Sequence, residues 1–153
     1  MNDKCCMGMK NAQESITDLV GRGSWAIMGV EGSDTEPTFS YTIGLHHKGF
    51  PELIMVGLGR FRAHAVLNDC AAMMIYQSSK FPHGTVITEL ANMPTVIIDI
   101  DKKQDYAFQA YNHYGHWDFE MQQLVMPDKE GLFPWDNGYS KEMEKCQTLL
   151  GKY

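Results

Sequence analysis

Apolar residues recur along this chain with two different periods, and the change of period marks the predicted elements. Large and small side chains alternate over Phe39–Leu45, and Glu52–Leu58 is almost continuously apolar. A polar connection with turn residues, His-His-Lys-Gly-Phe-Pro, joins the two runs. This pattern predicts a β-hairpin from Phe39 to Leu58 whose second strand is covered on both faces.

A helical period follows the hairpin. Six residues at i, i+3, i+4, i+7, i+8 and i+11 predict one buried face of a long helix: Ala63, Val66, Leu67, Cys70, Ala71 and Met74. A shorter helix is predicted over Gln104–Tyr114, with Gly115 as its C-cap. Another helix is predicted to begin near Asn11 and stop at Gly21, and Ser140 is placed to cap a terminal helix.

Four further runs predict strands: Ser24–Glu31, Thr85–Leu90, Thr95–Ile100 and Asp118–Met126. Short turns between adjacent strands favour antiparallel pairing. We therefore expect an α+β fold, either a mainly antiparallel sheet or a small, partly closed β-barrel of the split-barrel type, with flanking helices. Residues 1–9 are predicted to be a disordered tail, and residues 10–153 a single domain.

Charge and composition narrow the classes of partner. The chain has 13 basic and 19 acidic residues, a formal charge of -6, which argues against nucleic-acid or membrane-surface partners but leaves room for a local basic pocket. No apolar run reaches the roughly 18 residues of a membrane span. The N-terminal segment lacks the apolar region of a secretory signal, so we expect a cytoplasmic protein with reduced cysteines.

The hairpin connection carries the first candidate site. His46 or His47 with Glu52 would form a general acid–base pair, because imidazole titrates near neutrality and a carboxylate orients it. The hydroxyl groups of Tyr41 and Thr42 would add donors beside that pair. The alternative is a solvated turn, with Tyr41 an ordinary sheet residue.

Two arginines form the second candidate site. Arg60 and Arg62 fall at the predicted start of the long helix, where the helix dipole disfavours cations unless an anion is bound. Guanidinium groups and free backbone N–H groups suit a phosphate or carboxylate. The alternative is that both arginines face solvent or pair with acidic residues elsewhere.

Metal binding is not predicted. His113 and His116 have an HxxH spacing, but Gly115 is expected to end the helix between them, and two ligands without a partner are insufficient. The distal loop from Pro127 to Tyr139 is a further candidate, in which Asp128 and Trp135 line a pocket or anchor a structural lid.

Several blocks together are similar to the family catalogued as domain of unknown function 4262 (DUF4262): Ser24-Trp25-Ala26, Tyr41-Thr42-Ile43-Gly44-Leu45, Pro51-Glu52-Leu53, Gly57-Leu58, Pro127-Asp128, Gly131 and Phe133-Pro134-Trp135. The resemblance runs from about Ser24 to Leu150. One residue departs from it: this chain has Gln147-Thr148-Leu149 where the family has Gln-Pro-Leu. The resemblance implies a bacterial or bacteriophage source and no established reaction.

Three functions are open at this point. The first is a small-molecule-binding domain for an anionic ligand that contains a nucleotide or phosphate. The second is a small enzyme, with a flavin cofactor suggested by the topological likeness of the hairpin and helix to flavin-binding split barrels. The third is a phage-encoded interaction module that inhibits a host factor. A homodimer is compatible with each of these functions, and the cofactor is otherwise unspecified.

Overall fold

A computed structural model describes residues 16–90 and 93–153. Its strands are β1 (Ala26–Val30), β2 (Phe39–Ile43), β3 (Glu52–Val56), β4 (Val86–Ile87), β5 (Thr95–Asp99) and β6 (Met121–Val125). Its helices are α1 (Arg60–Gln77), α2 (Phe108–Tyr114) and α3 (Lys141–Cys146), and residues 16–21 are also helical. The strands form one open mixed sheet in the order β1-β2-β3-β6-β5-β4. The predicted α+β class is confirmed, whereas the split-barrel alternative is not.

The predicted hairpin is confirmed. β2 pairs antiparallel with β3, and Phe39 lies opposite Val56. All five residues of β3 are buried, as a strand covered on both faces requires. Between the two strands the chain makes a 3-10 turn at His46–Lys48. The two histidines of the connection therefore lie at one end of the hairpin.

One strand pair departs from the predicted antiparallel arrangement. β3 and β6 are parallel, with Glu52 opposite Met121 and Ile54 opposite Gln123. β6 then pairs antiparallel with β5 on its other side. Short turns predict pairing between neighbours in sequence, but β3 and β6 are separated by α1, β4, β5 and α2. No local turn signal reports such a distant pairing.

The boundaries of several predicted elements change. The strand predicted over residues 85–90 is reduced to β4, an edge strand that pairs only through Val86 and Ile87. α2 begins four residues later than predicted and ends at Gly115 in the left-handed conformation, as expected of a C-cap. Ser140 caps α3 by accepting a hydrogen bond from the Met143 N–H. The predicted tail over residues 1–9 and the predicted helix start at Asn11 lie outside the described residues.

The sheet has an apolar cluster on each face, and β3 contributes to both. Leu53 and Met55 pack against the buried face of α1, and the six residues predicted for that face are all buried. Ile54 and Val56 point to the other face, where α2 packs. Because side chains alternate along a strand, a strand between two apolar layers must be apolar at every position. Within the described part of the chain, no helix combines the length and apolar character needed to cross a bilayer.

Candidate functional site

The loop between β2 and β3 folds around the carboxylate of Glu52. This residue is fully buried at the start of β3, so its two oxygens need hydrogen-bond donors. They accept bonds from two hydroxyl groups and three backbone N–H groups. The donors are Thr42 Oγ1 at 2.8 Å, Gly44 N at 3.0 Å, Leu45 N at 3.2 Å, His46 N at 3.2 Å and the Tyr114 phenol.

This network ties the loop to α2. Burial raises the pKa of Glu52, while the hydrogen bonds from Tyr114 and Thr42 oppose that rise. Burial and the nearby Glu52 raise the pKa of Tyr114, so its hydroxyl keeps its proton and acts as a donor. Glu52 contacts His46 through the backbone N–H, an arrangement that fixes the shape of the loop. The predicted imidazole–carboxylate pair is absent from the hydrogen bonds that hold Glu52.

Four imidazoles gather around the Tyr114 ring, and we call them the histidine cluster: His46, His47, His113 and His116. The Nε2 atoms of His47 and His113 are 3.0 Å apart. Ring centroids lie 5.1, 5.0, 4.9 and 6.1 Å from the Tyr114 centroid for His46, His47, His113 and His116, respectively. The sequence therefore brings two histidine pairs to one place from two separate segments.

Local geometry explains how the two segments meet. His46 and His47 lie in the 3-10 turn, and His113 lies in the last turn of α2. Gly115 has a φ of +78°, a left-handed conformation that turns the chain so that His116 comes back toward His46, 5.9 Å away between ring centroids. The bond from Tyr114 to Glu52 then holds the end of α2 against the loop.

Neighbouring basic groups shape the electrostatics of the cluster. Burial, then His116, His47 and Lys103, lower the pKa of His46, whereas Asp118 raises it. Burial and then His47 lower the pKa of His113. His46 therefore interacts electrostatically with two imidazoles and the Lys103 ammonium group, and His113 interacts with His47, on a chain whose formal charge is -6.

The two predicted arginines lie elsewhere. Arg60 and Arg62 begin α1, which follows the opposite end of β3 from His46 and His47. Five strand residues span about 17 Å, so the arginines and the hairpin loop are not brought together. Both arginine side chains are exposed, and Arg60 Nη1 lies 3.7 Å from Glu31 Oε1.

The predicted hydroxyl donors are used inside the protein. Tyr41 is buried, its hydroxyl accepts a hydrogen bond from the Gln109 N–H at 3.0 Å, and burial is the main factor that raises its pKa to about 12. Thr42 donates to Glu52 and accepts from the Leu53 N–H at 2.9 Å. Thr42 therefore helps to hold the Glu52 carboxylate in place, whereas Tyr41 anchors α2 to the sheet.

Asp128 and Trp135 organise the distal loop. Asp128 Oδ1 accepts bonds from the N–H groups of Glu130 and Leu132, and Oδ2 accepts one from Ser140, each at 2.9 Å. Trp135 stacks between Phe133 and Tyr153, with ring centroids 5.3 and 3.9 Å away. The rings of Phe133 and Trp135 pack against a small apolar cluster formed by Val96, Ile98 and Val125. In the observed contacts, Asp128 holds the backbone of the loop and Trp135 packs the loop against the apolar cluster. Their predicted role in a pocket stays a prediction.

The sequence predicts a site at His46 and His47 but does not predict their partners. It offers His113 and His116 only as an HxxH pair, and Tyr114 only as the last residue of a helix. The contact between His47 and His113 spans 66 positions. The one available signal was the presence of two histidine-rich segments, each beside a predicted turn.

Comparison with known proteins identifies the family of this chain. Residues 19–140, well over half of the chain, match a family described as "Domain of unknown function (DUF4262)". No curated protein and no solved structure matches the chain. Any assignment of activity therefore has to come from the geometry of the site.

Proposed function

This chain belongs to the DUF4262 family, and we propose that it binds a small anionic ligand, one that contains a nucleotide or phosphate group, at the histidine cluster. One observation carries the proposal. The groups that act electrostatically on His46 are His116, His47 and Lys103, with Asp118 as the acidic exception. The lowered pKa keeps the His46 ring neutral at pH 7, so the ring offers an N–H donor to an anion, and Lys103 supplies the positive charge beside it.

The donor geometry supports the same ligand class. A neutral imidazole carries one N–H donor and an imidazolium carries two, so the cluster offers hydrogen bonds to anionic oxygens in either state. His47 and His116 are exposed to solvent and His46 is half-buried, so the rings of His47 and His116 are the more accessible ones. The network around Glu52 holds the loop in place, which lowers the entropic cost of ordering these side chains on binding.

The two arginines are the alternative position for the same ligand. Free N–H groups at the start of α1 and two guanidinium groups suit an anion, and no side chain caps that helix end. However, Arg60 already lies within ion-pair distance of Glu31. The histidine cluster is therefore the stronger candidate.

Calorimetric titration tests the proposal and separates the two positions. Metal-free protein is titrated with phosphate, pyrophosphate, AMP and ATP, and we expect at least one of them to bind. His46→Gln and His116→Gln should each weaken that binding by about tenfold or more, the effect of losing one hydrogen bond to a charged group. His64→Gln, an exposed histidine on α1 outside the cluster, is the matched control.

Two results would count against the histidine cluster. If none of the four anions binds, the ligand class is wrong. If Arg60→Ala with Arg62→Ala abolishes binding while both histidine variants bind normally, the anion site lies at the start of α1.

Acid–base catalysis is a second candidate, favoured by the contact between His47 and His113. Two imidazoles 3.0 Å apart can hold one proton between them, so one ring is ready to accept and the other to donate. Incubation of the protein with each ligand that binds, followed by chromatography of the ligand, tests this role. Recovery of intact ligand after prolonged incubation would favour simple binding.

A further inference from the structure

We propose that His47 and His113 form a two-histidine binding site for a divalent transition-metal ion of the zinc or nickel type. Their Nε2 atoms are 3.0 Å apart. Two imidazole nitrogens on one ion, each about 2.0–2.1 Å from it and at an angle of 90–110°, lie about 2.9–3.4 Å from each other. The observed separation falls in that range, so an ion can bind both nitrogens with little movement of the backbone.

The two rings meet at their Nε2 corners: their planes are 81° apart and their centroids are separated by 5.2 Å. The two nitrogens point toward each other, so each ring has to rotate about its side-chain torsions before both lone pairs face one ion. In the absence of an ion, the Nε2–H group of one ring donates to the Nε2 atom of the other. On metal binding, that proton moves to Nδ1 of the same ring, and both Nε2 lone pairs face the ion.

The scaffold holds the two ligands in place. His47 lies in the 3-10 turn whose backbone is bound to Glu52, and His113 lies one residue before Tyr114, which donates to the same carboxylate. One buried group therefore fixes both segments. A site whose ligands are held before the ion arrives loses less entropy on binding than two free surface histidines would.

The pair supplies two ligands, and the ion's other positions are open. Over residues 16–90 and 93–153, no group of three or more His, Cys, Asp or Glu side chains is arranged to hold a metal ion. Catalytic zinc centres have three protein ligands, one more than this pair supplies, so water or a bound ligand would have to fill the remaining positions. The inference rests on the geometry of this pair and does not require the proposed anion. A bound ion would add positive charge to the same surface.

The experiment uses the full chain without a polyhistidine tag. Cys5, Cys6 and Cys146 are replaced by Ser, so that thiolates do not contribute ligands. Titration calorimetry with zinc chloride and nickel chloride should give one ion per chain. His47→Gln and His113→Gln should each lower the affinity at least tenfold, and the double variant should lose little more, because either nitrogen alone is a poor site. His64→Gln is expected to bind like the parent protein.

Cobalt absorption gives a second measurement. A visible d–d band without a thiolate charge-transfer band is expected, and both histidine variants should lose it. Thermal melting of the metal-free variants checks that they fold. The proposal is overturned if the parent protein binds no ion, or if either single variant binds as tightly as the parent. Since anion binding is measured on metal-free protein with His46 and His116 variants, the two proposals can fail separately.

Discussion

The buried carboxylate of Glu52 holds the backbone of the loop that carries His46 and His47. The sequence places it six residues after His46, and this spacing suggested a catalytic pair. In the structure its oxygens accept hydrogen bonds from three N–H groups of the loop, from the Thr42 hydroxyl on β2 and from the Tyr114 phenol. The backbone of the loop contains polar N–H groups that need acceptors away from water. Glu52 supplies them, so the imidazoles of His46 and His47 are not needed to hold the backbone of the loop.

Replacing Glu52 by Gln should lower the free energy of unfolding by about 3 kcal/mol, because one acceptor oxygen becomes an NH₂ group that faces other donors. Chemical denaturation at neutral pH measures this loss. Glu120→Gln is the control, since Glu120 forms an exposed ion pair with Lys80 and should change stability by less than about 1 kcal/mol. Equal effects of the two substitutions would show that the Glu52 network does not hold the loop.

The sequence predicted the residues of the hairpin loop better than their partners. His46, His47 and Glu52 were recognisable because a polar connection between two apolar runs is a local pattern. The position of His113 beside His47 depends on how α2 packs on the sheet, through Tyr41 and Gln109 among others. Packing of that kind is set by side chains distant in sequence, and a single sequence does not reveal it.

At the scale of elements, the distal loop depends on one carboxylate. Asp128 accepts hydrogen bonds from three backbone N–H groups and so closes the chain between β6 and α3. Burial alone would raise its pKa, but the bonds from Leu132, Ser140 and Glu130 hold it below the usual value. Ser140 could be predicted as a helix cap because serine is a residue type typical of that position. The N–H groups that bond to Asp128 could not be predicted, because the conformation of the loop brings them together and composition does not specify that conformation.

The contribution of Asp128 to stability should therefore depend on pH. A carboxyl group whose pKa is lower in the folded state stabilises the fold above its unfolded pKa of about 3.9, and that contribution is lost as the pH falls through the folded value. Asp128→Asn should melt at a lower temperature than the parent protein at pH 7. The difference should shrink as the pH is lowered below about 4. Melting curves across this range test the sign, and a difference that is constant with pH would contradict it.

At the scale of the whole molecule, the two faces of the sheet were predictable and the strand order was not. The buried face of α1 and the apolar character of β3 follow from periodicity alone. The parallel pairing of β3 with β6 joins segments that share no turn. A further long-range contact closes the molecule at Gly57, just after β3, which lies against the end of α3.

Gly57→Ala should test that closure. Gly57 has a φ of +91°, and an added Cβ would lie 2.5 Å from the backbone oxygen of Cys146. We expect a loss of about 3 kcal/mol in the free energy of unfolding, from backbone strain and steric overlap together. Gly84→Ala is the matched control: its φ is +86° but no atom lies within 4 Å of the added Cβ, so only the strain of about 1 kcal/mol applies. If the two variants lose similar free energies of unfolding in denaturation experiments, the end of α3 must move away from the added Cβ.

The central position of β6 has a consequence for biosynthesis. A ribosome releases β1, β2 and β3 first, then β4 and β5, and only afterwards the strand that joins the two groups. Until residue 125 has left the exit tunnel, β3 and β5 each have an unpaired, strongly apolar edge, which is a surface prone to association with other chains. Completion of the sheet is therefore a late event in synthesis. A nascent chain arrested before β6 should depend on chaperones to stay unaggregated.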